Sequence, residues 1–156
     1  MASGFIVLAD GRCFSPTSRL YDLTIEAVAD ELVDSDAARI LREWLLSLLP
    51  GPTDTDLGYG WVRSSDQETV LRHLDLRELT IENQRLFNRA AQGAGDRVQS
   101  EDSGEPLSWK KKCCTALADM VARAESGEPP LSRSDWTVVE PSKGRKLGPG
   151  WRKLGQ

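Results

Sequence analysis

The chain predicts a single α+β domain. About four helices, the first two forming an N-terminal helical hairpin, should pack on a small, mostly antiparallel sheet made of two β-hairpins. Three observations lead there. Apolar residues recur at helical spacing in separate segments, and short β-branched or aromatic runs flank turn signals. The length of 156 residues suits one core better than two.

Phe5-Ile-Val-Leu-Ala9 is an apolar run followed by Asp10-Gly11 and then by Arg12-Cys13-Phe14. Asp-Gly between two such runs signals a tight hairpin, because its turn residues take positive φ. Ser15-Pro16 ends the pairing, and Thr17 or Ser18 can cap a first helix. Tyr21, Ile25, Val28 and Leu32 then follow at core-facing spacing, and the helix is expected to run on to Asp34. Ser35-Asp36 caps a second helix carrying Leu41, Trp44 and Leu48, which Pro50-Gly51-Pro52 stops.

Between Leu57 and Leu76 two readings compete. Tyr59, Trp61 and Val62, then Thr69, Val70 and Leu71, favour strands around a Ser64–Gln67 turn, whereas Ser65-Asp-Gln-Glu68 matches a helix capping box. The residues flanking the turn favour the hairpin. Thr80 caps a third helix with Phe87 on its inner face. Residues 93–105, rich in Gly, Ser and charge, are expected to be a flexible loop. A fourth helix follows from about Pro106 to Ser126, with Leu117 and Val121 inward and Gly127 as its C-terminal cap. Trp136-Thr-Val-Val139 is suited to an edge strand. The expected core comprises Phe5, Val7, Tyr21, Ile25, Val28, Leu32, Leu41, Trp44, Leu48, Trp61, Phe87, Leu117 and Val121.

Charge divides the chain into an expected globular domain, residues 1–140, and a basic Gly/Pro-rich tail, residues 141–156. The first holds all 24 acids against 15 Lys and Arg, a net of −9, while the tail carries five cations and no acid. An acidic body disfavours non-specific nucleic-acid binding. No apolar stretch approaches the roughly 20 residues that cross a bilayer, so no membrane partner is expected. Three cysteines, an odd number, argue against a disulfide framework and for a cytoplasmic setting.

Asp22, Glu26, Asp30 and Asp34 recur every fourth residue, so on one helix they form an acidic stripe, with Glu31 beside it. A stripe of this kind is either solvated surface or a contact for a basic partner. The leading expectation is a non-enzymatic protein-binding module. Its most specific form is an acidic cytoplasmic inhibitor, an immunity-type protein, that neutralises a basic toxin or nuclease by charge complementarity. A second expectation is an accessory protein that binds nucleic acid or another anion through Lys110, Lys111 and Lys112 near a helix start, helped by Arg145, Lys146, Arg152 and Lys153 of the tail. A third is a small enzyme centred on His73, the single histidine, working with Cys13 or Asp75.

No cysteine or histidine spacing matches a structural zinc site, and the glycines match no nucleotide-binding motif, so no metal or cofactor is expected.

Overall fold

The computed structural model describes residues 4–51, 54–58, 61–64, 67–70, 72–101, 105–129 and 137–138. The class is α+β. Strands β1 (Phe5–Val7) and β2 (Arg12–Phe14) precede helices α1 (Ser18–Asp30) and α2 (Asp36–Ser47). Strands β3 (Thr55–Gly58), β4 (Trp61–Ser64), β5 (Gln67–Val70) and β6 (His73–Asp75) follow, and a short 3-10 turn covers Leu76–Glu78. Helices α3 (Ile81–Ser100) and α4 (Glu105–Glu125) lead to β7 (Thr137–Val138).

The strands fall into two sheets rather than the one expected. One has the order β6-β1-β2-β7 and the other the order β3-β4-β5. In the first, β1 pairs antiparallel with β2 but parallel with β6, in the register Phe5–His73, Ile6–Leu74 and Val7–Asp75. A parallel partner requires a long crossover, and here the crossover contains α1 and α2. In the second sheet β4 pairs antiparallel with β5, from Trp61–Val70 to Ser64–Gln67.

The β1–β2 turn is one residue longer than a two-residue Asp-Gly turn. Gly11 N–H donates to Leu8 O, and Leu8 N–H donates to Arg12 O, both at 2.9 Å. This is a tight turn followed by a left-handed residue, Gly11, at φ 92°. Arg12 is buried behind it, with Nε donating to Asp10 Oδ2 and Nη2 to the Glu128 carbonyl, each at 2.6 Å. That last bond ties the turn to the end of α4, where Glu128 N–H reaches Arg123 O and Gly127 stands at φ 76°, the pattern of a Schellman cap.

One face of the first sheet feeds the main core. Ile6, Phe14 and Leu74 join Tyr21, Ile25, Val28, Leu41, Leu45, Phe87, Leu117 and Val121 in a single cluster. Tyr21 fits because Gly4 has no Cβ; one there would overlap its ring. Val7 and Cys13 are buried on the opposite face, outside that cluster, since alternate strand residues point to opposite sides. Phe5, expected in the core, is half-buried, and the Trp61 side chain lies outside what the structure describes.

Two helix boundaries differ from the sequence reading. α1 stops at Asp30, four residues before Asp34. Ser35 must be extended to cap α2, its Oγ accepting from Ala38 N–H at 3.1 Å, and Leu32 turns back into the core, so the helix cannot continue between them. α3 runs through Ser100, which makes residues 93–100 helical rather than a loop. The cause is close packing on α4: a Cβ on Gly95 would lie 2.5 Å from Ala118 Cβ. Ala91, Ala94 and Val98 on α3 are buried there, as are Cys114, Leu117 and Val121 on α4.

Candidate functional site

The acidic residues do not behave as one stripe. Successive i+4 positions drift by about 40° around a helix of 3.6 residues per turn. Asp22 therefore sits at the margin of the buried face, Glu26 further out and Asp30 fully out. The structure shows that gradient. Asp22 is half-buried and accepts from Arg72 Nε at 2.9 Å and Nη2 at 3.0 Å. Glu26 is exposed and pairs with no described residue. Among the described residues Asp30 has only Arg42, 4.0 Å away, at the limit of an ion pair.

Glu31 is latched. Its Oε1 lies 2.8 Å from Arg97 Nε of α3, and its side chain retains 18 % of its exposure. Gly93 makes room for it, since a Cβ there would come within 3.1 Å of Glu31 Oε2. Asp34, outside the helix, is exposed in the α1–α2 joint and pairs with no described residue. Five candidate acids thus divide into two held by arginines from distant segments, Asp22 and Glu31, and three facing water, Glu26, Asp30 and Asp34. Nothing local in the sequence marks Arg72 and Arg97 as the partners.

The lysine run is also divided. Steps of about 100° per residue splay Lys110, Lys111 and Lys112 around α4. Lys110 and Lys111 are half-buried, and Lys111 Nζ reaches the Gln99 carbonyl at 3.5 Å. Lys112 alone is exposed, its Nζ 4.6 Å from the ring centroid of Trp109. Trp109 is itself 55 % exposed, a feature the sequence reading passed over. Arg145, Lys146, Arg152 and Lys153 lie outside the described residues.

His73 and Asp75 share a face of β6, two residues apart, and both are buried. The His73 ring meets Phe5 edge-on at 6.0 Å. Asp75 turns both carboxylate oxygens toward Arg77, taking Nε at 2.9 Å and Nη2 at 2.8 Å. Cys13 sits one strand further on, opposite Val7, which itself opposes Asp75. Two strand spacings place its backbone on the order of 10 Å from that of Asp75. Burial, and then the Asp75 carboxylate, push the Cys13 thiol up to about 11, against a smaller pull downward from Arg77. A thiol so placed stays protonated at neutral pH and is a poor nucleophile.

Among the described residues no three His, Cys, Asp or Glu side chains converge as metal ligands, and no helix is long and apolar enough to cross a membrane. Comparison of the chain with protein-family models, with curated proteins and with solved structures found no match in any of the three.

Proposed function

We propose that this protein is a non-enzymatic binding module that presents the outer flank of α1 and the α1–α2 joint to a basic protein surface. One observation carries the reading: Glu26, Asp30 and Asp34 stay in water on a scaffold whose neighbouring acids are latched to arginines of β6's approach and α3. The backbone that carries Glu26 and Asp30 is a well-packed helix, which lowers the ordering cost of an interface there. The charge of the three carboxylates raises the association rate with a cationic surface and rejects acidic ones. The most specific form of the reading is an inhibitor, of the immunity type, that covers the basic face of a toxin or nuclease.

Two features support this over the alternatives. The splayed lysines of α4 offer no continuous track for phosphates, and residues 1–140 carry a net −9, from 24 acids and 15 Lys and Arg. Around His73, the thiol is held protonated and Asp75 is committed to Arg77.

The test compares wild type with a Glu26→Gln, Asp30→Asn, Asp34→Asn triple variant, leaving Asp22 and Glu31 intact because they brace the fold. Affinity capture at low salt should retain a basic protein on the wild type. The folded variant should lose it, and added salt should slow association with the wild type. Equal capture by both chains would return the flank to solvated surface.

A further inference from the structure

An open groove of about 260 Å³ lies between the α1–α2 joint and α3. Leu32, Leu86 and Ala90 supply its apolar lining, with Asp34 and Arg89 among the polar residues around it. Both charged residues are exposed, and no described residue pairs with either. Sites for drug-sized molecules usually exceed 300 Å³, so this volume suits one long side chain.

We propose that the groove takes an arginine side chain of the basic partner; the proposal rests on the acidic-flank reading above. An arginine has an aliphatic stem and a weakly hydrated planar head, so it can lie on an apolar lining while its guanidinium meets a carboxylate. Asp34 supplies that carboxylate without having to break an ion pair to any described residue. The surroundings favour a cation as well, since the segments that wall the groove, Ser18 to Ser47 and Ile81 to Ser100, together contain nine acids and six arginines. Glu31, at the end of the groove, adds little because Arg97 already neutralises it. Arg89 opposes the occupant, and this opposition fixes the sign of the test.

The probe is N-acetyl-arginine N-methylamide, with its uncharged citrulline counterpart, titrated into the full-length protein and followed by amide chemical shifts. Saturable shifts should appear within residues 31–38 and 86–93. Exposed charge pairs contribute about 0.2–1 kcal/mol, so Asp34→Asn should weaken binding roughly 1.4- to fivefold. Arg89→Gln should strengthen it by a similar factor, and citrulline should bind more weakly than arginine. Both substitutions are on exposed side chains, and unchanged far-UV dichroism confirms folding. Shifts elsewhere, no saturation or equal binding of citrulline overturns the proposal. Reversed signs for the two substitutions identify an anionic occupant and overturn it too. If the flank captures a basic protein but arginine does not enter the groove, the groove alone fails. If arginine enters but the triple variant, which also lacks Asp34, still captures the partner, the flank reading fails and with it the assignment of the groove to the partner's arginine.

Discussion

Replacing Gly95 by alanine sets local propensity against tertiary packing, and the structure decides which should win. Gly95 lies within the 20-residue helix α3, facing the 21-residue helix α4. In a free helix, Gly→Ala gains about 1 kcal/mol. Here the new Cβ would stand 2.5 Å from Ala118 Cβ and 3.3 Å from the Cys114 carbonyl oxygen. Carbon atoms rest about 3.5–4.0 Å apart, so the helices must separate by roughly 1 Å at that point. A gap of that size forfeits about a quarter to a half of the dispersion energy of each affected contact. Ala91, Ala94, Val98, Leu117 and Val121 are the buried side chains exposed to that loss. Overpacking typically costs about 1–3 kcal/mol, so after the propensity gain of about 1 kcal/mol a net destabilisation of up to about 2 kcal/mol is expected.

The closest clash is with one methyl group, so most of it should be reversible. Ala118→Gly alone should cost about 1 kcal/mol in helix propensity. Combined with Gly95→Ala it restores a Cβ facing an empty position, and the double variant should lie within about 1 kcal/mol of wild type, well above the additive expectation. Urea unfolding followed by far-UV dichroism reads all four corners of the cycle. A stabilised Gly95→Ala variant would show that propensity dominates. A double variant carrying the full sum of both losses would show that the two positions do not touch.

Asp22→Asn removes the charge that anchors Arg72, whose side chain is 9 % exposed, and should cost about 1–3 kcal/mol. Glu26→Gln, one turn along and paired with no described residue, should change stability by less than about 0.5 kcal/mol; equal thermal shifts for the two would refute the division of the acids. The Cys13 and Cys114 thiols are both pushed up to about 11, chiefly by burial, and Cys113 is raised for the same reason. Native protein at pH 8 should therefore react with a disulfide reagent far more slowly than unfolded protein, with half-buried Cys113 first. The folded-state values lie above the unfolded one near 9, so this stability is intact below pH 9 and is lost as pH rises toward 11. Denaturant midpoints across that window should fall, and fall less in a Cys13→Ala, Cys114→Ala variant; an identical slope would remove the thiols as the cause.

Local chemistry made much of the helical layout legible. The spacing of Tyr21, Ile25 and Val28 marks α1's inner face, and Ser35 and Thr80 cap α2 and α3 with side-chain oxygens. Gly127 ends α4 in the left-handed region. Each is a relation among residues within a few positions of one another, where the sequence carries the whole interaction. Residues 93–100 show the limit. Two glycines close together argue against a helix by about 1 kcal/mol each, and only tertiary packing makes their missing side chains useful, Gly93 against Glu31 and Gly95 against the face of α4. The pairing of β6 with β1 was hidden for a similar reason, since its register joins Phe5 to His73 across the whole α1–α2 excursion.

Which acids are available to a partner was likewise decided by the tertiary structure. The sequence by itself determined that carboxylates would recur along the flank of one helix, because helical period and residue spacing are local. It could not determine which would remain charged surface. That depended on Arg72 and Arg97, placed beside Asp22 and Glu31 by packing between segments tens of residues apart, while no described arginine came closer than 4.0 Å to Asp30 and no described residue paired with Glu26 or Asp34.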